Sequence, residues 1–143
     1  MLPQIIQEKE RNEHIVFPAY FVIGAINAAL AIALGAFGAH GLEGHITDRG
    51  LEVFETGVKY HMYGALGLML VALMDKVAGG GKGALIGGRL LLAGMLIFSV
   101  SLYVLALTGI NKLGMITPIG GVAMLAGWGF VIGGVVKQAR RKS

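Results

Sequence analysis

Residues 17–40 have the sequence FPAYFVIGAINAALAIALGAFGAH, which contains no Asp, Glu, Lys or Arg. An α-helix rises about 1.5 Å per residue, so this stretch would span roughly 36 Å, more than the roughly 30 Å hydrocarbon core of a bilayer. Three further apolar stretches follow at about residues 58–74, 85–108 and 114–136. The sequence therefore predicts an all-α membrane protein whose four transmembrane helices form one compact bundle.

The composition of the whole chain supports this prediction. Its 143 residues are 55% hydrophobic and 14% charged, whereas a soluble domain carries about 25% charged residues. The absence of cysteine excludes disulfides, thiolate metal sites and a cysteine nucleophile. The formal charge of +4 comes from short basic segments beside the apolar stretches, which favours anionic lipid over nucleic acid as the partner. We expect membrane lipid as a partner, with no cofactor.

The basic residues also predict the orientation of the chain. A four-span topology places nine of the twelve Lys and Arg residues on one side of the membrane: Lys9, Arg11, Lys76, Lys82, Arg89, Lys137, Arg140, Arg141 and Lys142. Because positively charged loops stay inside, we expect a cytoplasmic-membrane protein with its arm (residues 1–14) and basic tail (residues 137–143) in the cytoplasm. The alternative for the first stretch is a cleaved signal peptide, which the acidic arm disfavours.

A polar connection separates the first two apolar stretches. Either Thr47 or Asp48 is a suitable N-cap, and Leu51, Phe54 and Val58 then recur at helical spacing. This pattern predicts a short amphipathic helix at the membrane interface between the first and second spans, bending into the second.

Small residues predict how the spans pack, because membrane helices associate through close backbone approach. They recur every seven positions as Gly87, Gly94 and Ser101 in the third span and as Gly120, Gly127 and Gly134 in the fourth. These matched stripes predict an antiparallel hairpin. In the first span, Gly24 and Gly35 share a face with Asn27 beside it, so we expect its amide to point into the bundle. The many small-residue faces also favour a homo-oligomer.

Several residues near the outer membrane surface have the chemistry of a metal or proton site: His40, His45, Glu55, Tyr60 and His61. Glu55 and His61 are six residues apart, about 240° around one helix, so they cannot share a ligand without a second helix. We therefore predict no metal site and expect interfacial histidines that cap and cross-link helix ends.

Four motifs occur in order along the chain: FGAHGL at 37–42, FETGVKYH at 54–61, SLYVLALTG at 101–109, and TPIGG followed by GW at 117–128. Together they resemble the small four-span family called domain of unknown function 423, which includes transmembrane protein 256 of animals and many bacterial inner-membrane proteins. The resemblance covers about residues 17–135. It implies a small helical protein of the bacterial plasma membrane and brings no established reaction.

The resemblance also marks the best candidates for a polar cluster: His40, Glu55, Tyr60, His61, Tyr103, Thr117 and Pro118. No role is carried over to them. Family members often have a second His three residues after the Tyr-His pair, where this chain has Gly64. That difference disfavours a metal site built on paired histidines.

Three functions remain open from the sequence. The leading hypothesis is a non-enzymatic bundle that assists assembly or binds a lipid or a partner. The alternative is a small homo-oligomeric channel or transporter whose outer mouth uses His40, Glu55 and His61. The third is a metal-assisted membrane enzyme. A proton-coupled transporter usually needs an ionisable residue near the bilayer midplane, and the sequence predicts none there.

Overall fold

The computed structural model describes residues 3–143, apart from the side chains of residue 9 and residues 12–15. Within that part of the chain, four helices are long and apolar enough to cross a membrane, and they pack against one another. This finding confirms the predicted all-α membrane fold.

The helices follow one another with short connections. They are α1 (Gln4–Ile15), a π-helical segment (Val16–Tyr20), α2 (Phe21–Gly41), α3 (Asp48–Ala78), α4 (Gly81–Thr108), a short 3-10 helix (Asn111–Met115) and α5 (Thr117–Lys142). The π-helical segment contains Pro18, which has no backbone N–H and whose ring crowds the preceding turn. The chain therefore continues from α1 into α2 through a widened turn.

The helix α3 is continuous from Asp48 to Ala78, so the predicted amphipathic helix runs into the second span without a break and is not a distinct element. Thr47 caps its first turn, where the hydroxyl oxygen accepts a hydrogen bond from the Gly50 amide at 3.0 Å. The amphipathic segment forms the first turns of the second span because it packs on a neighbour. A Cβ at Gly57 would lie 2.8 Å from a Tyr103 ring carbon on α4, so the two helices already touch there.

The spans are antiparallel neighbours in chain order: α2 packs on α3, α3 on α4, and α4 on α5. In the most apolar 18-residue window of each span, 44% of the residues of α3 and 39% of those of α4 are buried, against 17% for α2 and 22% for α5. The central pair thus forms the core, and the flanking spans present most of their surface outward. We call the end with α1, the α3–α4 turn and the last turns of α5 the terminal end, and the other the opposite end.

Glycine allows α4 and α5 to touch backbone to backbone. A Cβ at Gly94 would lie 2.6 Å from the Gly120 carbonyl oxygen, and one at Gly127 would lie 2.9 Å from the Gly87 carbonyl oxygen. Nearer the terminal end, Gly134 meets the Gly80 carbonyl oxygen in the same way at 2.8 Å. The predicted stripes therefore lie in one contact surface, because any larger side chain would push the helices apart.

The first span uses its small residues against α3. A Cβ at Gly24 would lie 2.8 Å from the Ala65 carbonyl oxygen, and one at Gly35 would lie 3.3 Å from a Val58 methyl carbon. The close approach of α2 and α3 brings Asn27, which lies between these glycines, to the second span.

Candidate functional site

His61 connects three spans through the two nitrogens of its ring. Its Nε2 lies 3.0 Å from Asn27 Oδ1 on α2, and its Nδ1 lies 3.0 Å from the Tyr103 hydroxyl oxygen on α4. The His61 side chain is 5% exposed and the Asn27 side chain 9%. These three residues form a buried polar chain, which we call the His61 chain.

The hydrogen-bonding roles within the His61 chain follow from Asn27. Its Nδ2 donates to the Ile23 carbonyl oxygen at 2.8 Å, so Oδ1 of the same amide can only accept. His61 Nε2 must therefore carry a hydrogen and donate it to Asn27. In a neutral ring, Nδ1 then accepts from the Tyr103 hydroxyl. Hydrogen bonds thus run through the His61 chain without interruption from the Tyr103 hydroxyl to the Ile23 carbonyl oxygen.

Neighbouring residues on α3 position the His61 chain. Gly57 leaves the space that the Tyr103 ring occupies, and the Phe54 ring centroid lies 4.8 Å from that of Tyr103. Because α3 begins at Asp48, His61 lies about 20 Å along the helix from its first residue. The expectation that His61 caps a helix end at the surface is therefore wrong.

A second polar pair joins α4 to α5. The Ser101 and Thr117 hydroxyl oxygens lie 2.7 Å apart, and both residues are buried. Each hydroxyl is also within hydrogen-bond distance of a backbone carbonyl oxygen, Phe98 for Ser101 at 2.8 Å and Leu113 for Thr117 at 3.4 Å. Ser101 was expected only as a small packing residue, and its hydroxyl adds a hydrogen bond to that contact.

The remaining candidate residues do not join the His61 chain. His40 and Glu55 are exposed at the opposite end. Tyr60 is 39% exposed, and its ring packs against that of Phe98 at a tilt of 41° with centroids 4.5 Å apart. Across the described part of the chain, no three His, Asp or Glu side chains come together as metal ligands would. The seven candidates thus separate into three groups: His61 and Tyr103 belong to the buried chain, Thr117 belongs to the hydroxyl pair, and the rest are exposed, namely His40, Glu55, Tyr60 and Pro118.

The terminal end contains a feature that the sequence reasoning missed. Asp75 is 3% exposed, and its Oδ1 accepts hydrogen bonds from the Gly80 amide at 2.8 Å and the Gly81 amide at 3.1 Å. The glycine-rich turn is therefore held by a carboxylate. The available signal was an Asp just before a run of glycines, since Asp commonly accepts hydrogen bonds from nearby backbone amides.

The Tyr20 hydroxyl adds a further link near this end. It donates to the Leu85 carbonyl oxygen at 2.6 Å and so ties the π-helical segment to α4. The side chain is 5% exposed, and its ring lies where a Cβ on Gly88 would be. The first span is thereby fastened to the third as well as to the second.

Comparison with known proteins finds one matching family and several similar membrane proteins. The family model described as "Protein of unknown function (DUF423)" matches residues 34–121. The UPF0382 membrane protein YwdK of Bacillus subtilis is 54% identical over 119 residues, which cover 82% of this chain and 96% of that protein.

Membrane proteins of staphylococci are also similar to this chain over most of its length. A UPF0382 membrane protein of Staphylococcus epidermidis is 44% identical over 109 residues, covering 76% of this chain and 88% of that protein. A UPF0382 membrane protein of Staphylococcus saprophyticus is 42% identical over 118 residues, covering 82% of this chain and 97% of that protein. No solved structure matches the chain.

Proposed function

Because the chain belongs to the DUF423 family of membrane proteins of unknown function, we propose that it is a non-enzymatic helical bundle that binds a lipid or partner and assists assembly in the membrane. The observation that carries this proposal is the use of the buried polar groups. His61 is bound by Asn27 and Tyr103, and Ser101 by Thr117. Buried polar groups that bond to one another across helices stabilise the packing of those helices.

The proposal includes the location and orientation of the protein. Lys82, Lys137, Arg140, Arg141 and Lys142 all belong to the terminal end, where the positive-inside rule favours the cytoplasm. We therefore place the protein in the cytoplasmic membrane with both termini inside. Its surface for a partner or lipid consists of the two flanking spans, which are the least buried.

The homo-oligomer is also part of the proposal, on a different basis from the glycine faces. Gly24 and Gly35 are covered by α3, and the stripes of α4 and α5 cover each other. The remaining argument is the exposure of α2, where Ala29 and Ala33 lie four residues apart and outward. We expect copies to associate through α2, as cross-linking of Ala33→Cys in membranes would detect.

The alternative of a channel or transporter has one supporting observation, because the His61 chain runs between three spans. The Asn27 end of the His61 chain argues against a proton relay. Asn27 donates to the carbonyl oxygen of Ile23 on its own helix, and a backbone carbonyl has no hydrogen to pass on. His40 and Glu55, expected at the mouth of such a path, are exposed and not bonded to the chain.

Flux measurements test the choice between these functions. In proteoliposomes, we expect no proton or potassium flux above that of protein-free vesicles, with either the natural chain or His61→Phe. Tyr60→Phe is the matched control, because Tyr60 is adjacent in sequence but exposed. Flux that the natural chain and Tyr60→Phe sustain and His61→Phe abolishes would establish the transporter instead.

The metal-assisted enzyme is tested separately. Elemental analysis of untagged protein should detect no stoichiometric metal, because the described His, Asp and Glu side chains form no group of three. One tightly bound metal ion per chain would contradict the non-enzymatic proposal.

A further inference from the structure

A cavity of about 530 Å³ opens at the terminal end of the bundle. Its walls are the α3–α4 turn at residues 79–83, the beginning of α1 at Ile5 and Glu8, and the last turns of α5 at Lys137 and Arg141. Asp75 lines the cavity and holds the turn through the Gly80 and Gly81 amides. One wall of the cavity is therefore a turn held by hydrogen bonds to a buried carboxylate.

Among the described residues, three cations and two carboxylates line this cavity, and one of the carboxylates, Asp75, accepts hydrogen bonds from the turn amides. Lys82 Nζ lies 3.3 Å from Glu8 Oε1, so these two charges offset each other. Lys137 and Arg141 make no ion pair with any side chain that the structure describes. They are four residues apart on α5 and so lie on the same face of the helix. Two adjacent cations at one cavity favour a phosphate group.

An apolar groove of about 410 Å³ joins the cavity on the outer surface of the bundle. The two share Gly83, Gly134 and Lys137. The floor of the groove includes Gly129 and Gly133, where an added Cβ would meet nothing within 4 Å. The missing side chains leave a trough along α5 that faces the hydrocarbon.

The length of the groove matches one leaflet of a bilayer. Its lining residues extend along α5 from Ala126 to Lys137, about 16 Å along the helix axis. Half of the hydrocarbon core is about 15 Å thick. A ligand with an anionic group at Lys137 and an alkyl chain in the groove would thus reach from the interface to the bilayer midplane.

We propose that the cavity and groove together bind one anionic phospholipid, with its phosphate between Lys137 and Arg141 and one acyl chain along Gly129 and Gly133. This inference rests on the lipid-binding part of the proposed function and names the lipid. A second copy of the chain is a poorer occupant. A two-fold contact through the same face of α5 would bring Lys137 and Arg141 of a second copy toward those of the first, and these like charges would repel.

The test counts bound lipid on purified protein in a non-ionic detergent by native mass spectrometry. We expect one phosphatidylglycerol to bind more tightly than phosphatidylcholine. Lys137→Gln with Arg141→Gln should weaken phosphatidylglycerol binding about 30-fold, at about fivefold per charge. The matched control is Arg140→Gln with Lys142→Gln, which removes the same charge from residues outside the cavity and should leave the affinity little changed. Equal losses in the two double variants would overturn the site.

The groove is tested with Gly133→Leu, which places a side chain in the trough at a position where an added Cβ would meet nothing within 4 Å. This variant should bind phosphatidylglycerol several-fold more weakly, whereas Ala139→Leu, an added leucine at an exposed position outside the groove, should not. Unchanged binding by Gly133→Leu would remove the acyl chain from the proposal. If equimolar glycerol 3-phosphate displaced phosphatidylglycerol, the site would recognise the phosphate group alone. That result would also overturn the proposal that the ligand is a phospholipid.

These outcomes are distinct from failure of the proposed function. Ion flux or bound metal would overturn the non-enzymatic bundle whatever lipid is bound. Loss of lipid selectivity without flux would overturn only this site.

Discussion

Single polar residues stabilise the interior of this bundle by pairing across helices. His61 bonds to Asn27 and Tyr103, each at 3.0 Å, and the Ser101 and Thr117 hydroxyls bond to each other at 2.7 Å. An interhelical hydrogen bond in a membrane contributes about 0.6 kcal/mol on average and up to about 1.7 kcal/mol. Loss of one partner costs more, because the other is left buried without a hydrogen bond.

The first prediction concerns His61. His61→Phe should lower the free energy of unfolding by about 1–3 kcal/mol, because Asn27 Oδ1 and the Tyr103 hydroxyl both lose their partner. The measurement is unfolding in mixed micelles with increasing dodecyl sulfate, followed by circular dichroism. Tyr60→Phe, at an exposed neighbour, should be nearly neutral. Equal destabilisation by the two substitutions would contradict the role given to His61.

The sequence predicted part of this residue-level picture. The inward direction of Asn27 followed from the glycines on its face, because small residues mark the side of a helix that meets another helix. The bond between His61 and Tyr103 joins residues 42 positions apart, and nothing in the spacing of either predicts it. The sequence analysis assigned no role to Asp75, although its carboxylate holds the turn that follows.

At the scale of helices, glycine determines which surfaces meet. Gly94 and Gly120 bring the backbones of α4 and α5 together, whereas Gly129 and Gly133 on the other face of α5 meet nothing. The same residue type therefore serves a helix contact on one face and an open groove on the other. A seven-residue repeat in the sequence identifies the glycines of the helix contact. Only the positions of the neighbouring helices identify the glycines of the groove.

The second prediction uses that contrast. Gly94→Ala should destabilise the protein by about 1–3 kcal/mol, because its Cβ would lie 2.6 Å from the Gly120 carbonyl oxygen and force the helices apart. Gly129→Ala should instead raise the free energy of unfolding by about 0.5–1 kcal/mol, since alanine favours the helix and the space is open. The same micelle titration measures both. Changes of the same sign would contradict the assigned contact.

The helix boundaries show where local patterns mislead. The amphipathic repeat after Thr47 was interpreted as an interfacial helix, but α3 continues through it without a break. An amphipathic pattern shows only that one face of a helix is apolar, and here that face packs on α2 and α4. The sequence limited the N-cap to Thr47 or Asp48, because a cap depends on residues within one turn, and the structure shows that Thr47 is the cap.

At the scale of the whole molecule, the spans form a series in which α3 and α4 are central and α2 and α5 are flanking. This arrangement places the His61 chain between the first three spans and the cavity at the terminal end. A lipid or partner bound as proposed would therefore contact α2, α5 or one of the two ends, away from the polar interior.

The third prediction concerns orientation. The natural chain has no cysteine, so Glu43→Cys and Ser143→Cys report single positions at the opposite and terminal ends. In intact cells, an impermeant maleimide should label Glu43→Cys and should not label Ser143→Cys, because the basic residues favour the cytoplasm for the terminal end. Permeabilised cells provide the control, in which both should react. Labelling of Ser143→Cys in intact cells would reverse the proposed orientation.

The sequence by itself determined that the chain forms four membrane-spanning helices. Every segment that crosses the hydrocarbon core must be apolar, long enough to span it and hydrogen-bonded within its own helix, and each apolar stretch meets these requirements through its local sequence. Only the tertiary structure decided that His61 meets Asn27 and Tyr103, and that Lys137 and Arg141 line a cavity with the glycine turn. Those groupings depend on the register and order in which antiparallel helices pack, and residues far apart in sequence become neighbours only after that packing is formed.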